Sequence, residues 1–384
     1  MIFVKFITIT VILFLIIDLY IYLKPKSKLK LIPSKYNLLT INGKNEVICE
    51  FEITNNSKTK ESMIPDFNVE LDFFKNGTLS DLDYEKEMII KFGRNQKKLQ
   101  NYWPTIILKS KETIKIYLKI NIKNTLLDIE DFIWLKINWV NYGHFGKIKK
   151  QHLFLLNKHS NYYYQERLST ISINSDLQAI PIRTSLLSSF DDPIETVIGY
   201  CKNIVKENDI LVIGESPLAI MQGRYENYLD VETSIFSKIL CYFFHPTSSL
   251  ATSCGMQILI NKIGVTRIII SLTLGWFFKL IRIKGIFYML TGKESSLIDD
   301  ISGTIIPYDK TIVLGPNKPK SFCNKLSKAL KIDIAVADVN DLGGVKILAS
   351  SNKSINKLLK IALKKNPSGN ADQKTPIVLI RRKA

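Results

Sequence analysis

Proline and glycine are sparse, 13 and 18 residues in a chain of 384, which excludes a collagen-like or low-complexity polymer. The five cysteines (Cys49, Cys201, Cys241, Cys254, Cys323) stand far apart with no C-x-x-C among them. That spacing speaks against a zinc ribbon and for a reducing compartment. Histidine numbers only four, without metal-ligand spacing, and no G-x-S-x-G surrounds any serine, so zinc and serine hydrolases are poor readings. A Walker loop is absent too, and any nucleotide must be held by another device. Acidic residues run short, 35 Asp+Glu against 53 Lys+Arg, for a net charge of +18. Lys, Ile and Asn are abundant together, which reads as a codon-composition bias. No Arg-rich stripe with interleaved aromatics accompanies them, which argues against nucleic acid. With 46% hydrophobic and 23% charged residues the chain is neither disordered nor a multi-span membrane protein.

One long apolar run is present. Residues 6–23, FITITVILFLIIDLYIYL, lie between Lys5 and Lys24, long enough as a helix to span most of a hydrocarbon core. Asp18 falls toward the interfacial end beside Tyr20 and Tyr22, and Lys24, Lys26, Lys28 and Lys30 follow. No small-x-small cleavage site follows the run, so an anchor is expected over 1–30 rather than a removed signal peptide. Positive charge is heavier after the run, which places the body of the protein in the cytoplasm.

Residues 36–156 alternate apolar and polar side chains at period two (EVICEFEI, NVELDFF, TIKIYLKINI, FIWLKINWV), with turn clusters between. This predicts a β-sandwich with Trp103, Trp134 and Trp139 as core candidates. Asn76-Gly77-Thr78 reads as a hairpin turn rather than a glycosylation site. A polar, Tyr-rich linker is expected within 157–177, then a mixed α/β unit over 178–384, making the whole an α+β protein. Its expected elements are a strand at 180–184, a helix over 191–206, the buried strand DILVIG (209–214), helices at 319–330 and 353–365, and the strands TIVLG, IAVADV, VKILAS and PIVLI. Residues 255–290 are strongly apolar, but charges leave only IIISLTLGWFF uninterrupted. That is too short to cross a bilayer and predicts a buried or interface-facing helix.

Three loops of this second unit carry oxygen ligands beside small residues: Asp299-Asp300 before Gly303, Asp338 to Gly344, and Asn366 to Pro376. Carboxylates and amides at strand ends suit a hard divalent cation. Singly, each also reads as a solvated turn. Gly223-Arg224, after the DILVIG strand, offers either a phosphate clamp or a surface salt bridge.

In order and character these segments (DILVIGES, Gln-Gly-Arg, LIDDISG, AVADVNDLGG, GNADQKTPIVLI) resemble the coenzyme F-420-0:γ-glutamyl ligases, over roughly 178–384. The resemblance implies an amide ligase: GTP phosphorylates a substrate carboxylate, and the amine of L-glutamate attacks the acyl phosphate. It implies Mg²⁺ or Mn²⁺ held by Asp299 and Asp338, the two catalytic candidates, with Asn370 or Asp372 completing the site; Asp372 is taken as the third ligand. Gly223, Arg224, Asn340, Gly369, Asn370 and Gln373 would face the nucleotide. A homodimer is implied as well, for which 255–290 offer an apolar face. Departures exist: the family's Asp-Thr-x-Gly-Arg reads Asp338-Val339-Asn340-Asp341-Leu342 here, without its arginine. The membrane anchor and β-sandwich are read as additions to that plan. The alternative is a non-catalytic, membrane-tethered scaffold or ligand sensor that keeps a degenerate ligase domain.

Overall fold

The computed structural model describes residues 27–384 apart from 42–43, 76–77, 93–94, 100–102, 124–131, 158–168, 247, 284, 301–305, 340–342, 370–372 and 384, together with Ile12 and Ile16. The expected N-terminal span therefore lies outside the described residues except at Ile12 and Ile16, both helical and exposed. Among the described residues no single helix is long and apolar enough to cross a membrane.

Among the described residues ten strands build two sheets packed face to face: β1 (Leu29–Ile41), β2 (Lys44–Asn55), β3 (Ser62–Lys75), β4 (Thr78–Ser80), β5 (Tyr84–Phe92), β6 (Asn95–Leu99), β7 (Ile106–Leu108), β8 (Thr113–Ile122), β9 (Phe132–Gly143) and β10 (Gly146–Asn157). One sheet runs β1-β2-β8-β5-β6, the other β10-β9-β3-β4 with β7 beside β3. The period-two pattern explains the core. Val47, Cys49, Phe51 and Ile53 of β2 and Ile114, Ile116, Leu118 and Ile120 of β8 all point inward and are fully buried. Each such side chain contributes roughly 1.5–3 kcal/mol of transfer free energy. Lys75 pairs with Thr78 across the expected hairpin, while Asn76 and Gly77 themselves lie outside the described residues.

Alternation fails at the end of β10, where Leu153 to Leu156 are all buried. Both faces of this stretch are covered. Phe154 and Leu156 face the sandwich core, whereas Leu153 and Leu155 join Phe132, Trp134 and Tyr308 in a separate cluster. Trp134 therefore does not fill the sandwich as expected: its ring meets Tyr308 edge-on at 5.4 Å, across the boundary to the second domain. Polar contacts tie the same boundary. Ser188 Oγ donates to Leu155 O at 2.8 Å, Tyr225 Oη to Leu153 O at 2.7 Å, and Asn157 Nδ2 to Leu186 O at 2.7 Å.

The second domain is mixed. Its strands are β11 (Ile171–Ser172), β12 (Leu177–Ile182), β13 (Ile210–Gly214), β14 (Tyr225–Asn227), β15 (Asp299–Asp300), β16 (Thr311–Val313), β17 (Asp333–Val339), β18 (Val345–Ser350) and β19 (Ile377–Arg382). Its described helices are α1 (Pro193–Cys201), α2 (Glu215–Met221), α3 (Ile235–Leu240), α4 (Ser253–Ile263), α5 (Val265–Leu280), α6 (Ile286–Thr291), α7 (Pro319–Leu330) and α8 (Asn356–Ala362). The main sheet has the order β11-β12-β19-β13-β17-β18, and only β13 and β17 run parallel. A small sheet, β14-β16-β15, stands beside it. Asp192 caps α1 by accepting from Ile194 N and Glu195 N with Pro193 in the first turn, so the helix starts where expected and stops at Cys201, earlier than expected. Arg381 on the last strand closes a bidentate pair with the buried Asp209, at 2.9 and 2.7 Å.

Candidate functional site

Parallel pairing of β13 with β17 sets the site. Gly214 is level with Ala337, so the next residues, Glu215 and Asp338, leave adjacent strands side by side at their carboxyl ends, where open α/β sheets bind ligands. Glu215 opens α2 and is 8% exposed. Asp338 is exposed and sits directly across from Lys346 on β18. Lys346 Nζ donates to Ser296 Oγ at 2.8 Å, which brings in the segment ahead of β15 and its exposed Asp299. Burial first, then the charge of Asp338, pushes the Glu215 carboxyl up to about 8; Lys346 offsets part of this and Asp299 adds to it. The two aspartates are therefore near enough to the same buried carboxyl to repel its ionised form.

The loop before β19 reaches the same end. Gly214 N donates to Pro376 O at 3.0 Å and Thr184 N to Lys374 O at 2.8 Å. Gly369 there has φ +63°, in the left-handed region that favours glycine, and the end of the Gln373 side chain lies against it. Asn340, Asn370 and Asp372 lie outside the described residues.

Three carboxylates of this kind are hard oxygen donors that fit a divalent cation. Asp299, Asp338 and Glu215 are the described residues that would hold one. Among the described residues no group of three or more His, Cys, Asp or Glu side chains is drawn together closely enough to hold a metal ion as it stands. Glu215 is the residue that sequence reasoning missed. Its signals are a Glu directly after a buried strand, at the start of a helix, and its place inside the segment DILVIGES.

Gly223 and Arg224 stand apart from Glu215, although Tyr225 beside them and Asp299 pair with the same residue, Val313, from either side of β16. The Gly-Arg pair follows the far end of α2, about 10 Å along the helix from Glu215 at 1.5 Å per residue. Gly223 has φ +64°, and Arg224 Nε donates to Gly315 O at 2.5 Å. Both line a cleft of about 700 Å³ between the sandwich and the second domain, opposite Lys149, Lys150 and His152 of β10. Burial holds the His152 imidazole down at about 4, with Lys150 adding to the effect. Burial raises the Glu226 carboxyl in the same cleft, against the pull of Lys262 and Lys150.

The N-terminal domain is an Ig-like β-sandwich. Residues 30–160 match the family model for the N-terminal Ig-like domain of F420-0:gamma-glutamyl ligase. The match corrects the expectation that the family likeness is confined to residues 178–384: it includes the sandwich, which is not an addition to that family's plan. No curated protein matches the sequence. Among solved structures, a Bordetella pertussis protein labelled ApaA is 12% identical, over 35% of this chain and 98% of its own, at a TM-score of 0.20. A FixG-related protein from Vibrio parahaemolyticus is 10% identical, over 35% and 98%, at 0.20. A PapD-like domain of human CEP192 is 11% identical, over 34% and 86%, at 0.17.

Proposed function

We propose that the chain is a membrane-anchored amide ligase related to F420-0:γ-glutamyl ligase, joining L-glutamate to an acidic acceptor at the expense of GTP. The observation that carries this is the adjacency of Glu215 and Asp338 at the carboxyl ends of β13 and β17, with Asp299 near enough for its charge to act on Glu215. It stands behind a sandwich that matches the N-terminal domain of that ligase family. A carboxylate is a poor electrophile. Transfer of the γ-phosphoryl group to its oxygen releases GDP and creates a good leaving group. Attack by the glutamate nitrogen on the carbonyl carbon then forms the amide and expels phosphate. A bound Mg²⁺ or Mn²⁺ would neutralise the transferring phosphoryl group. The chain's own part is to hold Asp299, Asp338 and Glu215 toward that cation, with Lys346 and Ser296 setting their spacing. The soluble domains would face the cytoplasm, where GTP is available.

A second reading, a scaffold with a degenerate site, draws on the carboxylates not being gathered into a ready shell among the described residues. Calorimetry separates the two. The ligase reading expects Mn²⁺-dependent GTP binding that Asp338→Ala abolishes; GTP binding that is absent, or indifferent to that substitution, supports the scaffold.

A further inference from the structure

We infer that the face formed by α5, α6 and the segment from α3 to Phe243 lies in the plane of an anionic lipid bilayer, as a second membrane contact distinct from the N-terminal run and independent of the ligase reading. The expected apolar stretch 255–290 divides in two. On α4, Met256, Gln257, Ile258, Leu259 and Ile260 are buried inside the domain. On α5 the opposite holds: Ile270, Leu274, Phe277 and Ile281 form a helical stripe that is exposed, with Trp276 at 67% and Leu280 at 64% beside it. Gly275 lets α6 press closely on α5, since a Cβ there would meet Phe287 at 3.3 Å. Phe287 in turn meets Phe244 edge-on at 4.9 Å. That contact joins the exposed Tyr288 and Met289 to the exposed Tyr242 and Phe243, 87% and 70% accessible. Large contiguous apolar patches on a protein surface mark interaction sites with proteins or membranes.

Charge identifies the occupant. From Thr233 to Lys293 there is no Asp or Glu, whereas Lys238, Lys262, Arg267, Lys279, Arg282, Lys284 and Lys293 are all basic. Lys238, Arg267, Lys279 and Arg282 are exposed around the patch. A second copy of the chain across a two-fold axis would set these cations against one another. An anionic headgroup layer matches them, and amphipathic aromatics with Lys and Arg at their margin are the composition of interfacial helices. The chain also enters the fold nearby: Ile32 and Pro33, shortly after the Lys24–Lys30 flank, line the same cleft as Val231 and Asn261.

Tryptophan fluorescence tests this on the full chain in vesicles with brominated acyl chains, about one quarter of the lipid being phosphatidylglycerol. Trp103, Trp134 and Trp139 are buried in the sandwich and its boundary, so bromine reaches Trp276 selectively, and W276F supplies the difference signal. The expected result is quenching of the Trp276 signal by about twofold or more, lost in Phe277→Asp and Leu280→Asp, which alter exposed positions and leave folding intact. Quenching should weaken in purely zwitterionic vesicles. Trp276 open to iodide and untouched by bromine overturns the inference. So does a Trp276 shielded from both, with sedimentation showing two copies, which assigns the face to a homodimer.

Discussion

Glu215 and Asp338 are neighbours because they follow register partners on two parallel strands, Gly214 and Ala337. Their closeness is a property of the sheet rather than of either loop, so the pair is held without help from a bound ligand. Burial first, and then repulsion from the Asp338 carboxylate, lift the Glu215 pKa to about 8.

A divalent cation should relieve that repulsion. Mn²⁺ at about a hundred times its dissociation constant stabilises the native state by about 2.7 kcal/mol, visible as a rise in Tm. Asp338→Asn should remove most of the rise while leaving the metal-free Tm within a few degrees. Equal Mn²⁺ shifts in both proteins would place the cation elsewhere.

Arg381 and Asp209 give a stability prediction unrelated to ligands. Asp209 is 2% exposed and its carboxylate is bridged by both Nε and Nη2 of Arg381. Arg381→Ala strands a buried charge and should cost about 3–5 kcal/mol in urea unfolding. The double change with Asp209→Asn should recover part of that loss.

Phe190, on the second domain's side, packs among Tyr36, Phe51 and Phe154 at ring distances of 4.9, 5.6 and 5.6 Å. Phe190→Ala should lower stability by about 2–3 kcal/mol, below the full-burial range because the ring is only half-buried. It should also separate the unfolding of the two domains into distinct calorimetric transitions. A single unchanged transition would show that the polar ties at Ser188, Tyr225 and Asn157 suffice.

Two buried groups give opposite pH slopes. His152 titrates near 4 in the fold and at about 6.5 unfolded. Between those values the unfolded chain takes up the extra proton, so stability falls as pH falls, by on the order of 2 kcal/mol. Asp191 is pushed up to about 6 by burial, partly offset by the hydrogen bond from Ser188. Between about 4 and 6 the native state holds the extra proton, and stability rises as pH falls. Relative to wild type, His152→Phe should flatten the acid-side loss and Asp191→Asn should steepen it. The same sign for both variants in denaturant titrations from pH 7 to 4 would contradict these assignments.

Much of this architecture was legible because side-chain periods report directly on burial. The alternation of β2 and β8, the run DILVIG and the helix at 319–330 all stand where their patterns put them. What was not legible depends on contacts between distant segments. Trp134 reads as a sandwich core residue until Tyr308, far along the chain, covers the outer face of β9. Glu215 stands inside the segment DILVIGES, but nothing in that segment marks it as a ligand, and only strand register brings it to Asp338. Gly223-Arg224 and the carboxylates looked like parts of one site, yet α2 holds Glu215 and Gly223-Arg224 at its opposite ends. The apolar stretch 255–290 looked uniform, and tertiary packing splits it into a buried helix and an exposed one.

The proposed ligase site has one divalent cation among Glu215, Asp299 and Asp338. Crystals soaked with Mn²⁺ and GTP, measured for manganese anomalous scattering, test it most directly. A single strong peak is expected within about 2.0–2.5 Å of oxygens from Asp338 and at least one of Glu215 and Asp299. A peak bound only by other residues, or none at saturating Mn²⁺ and GTP, would contradict it.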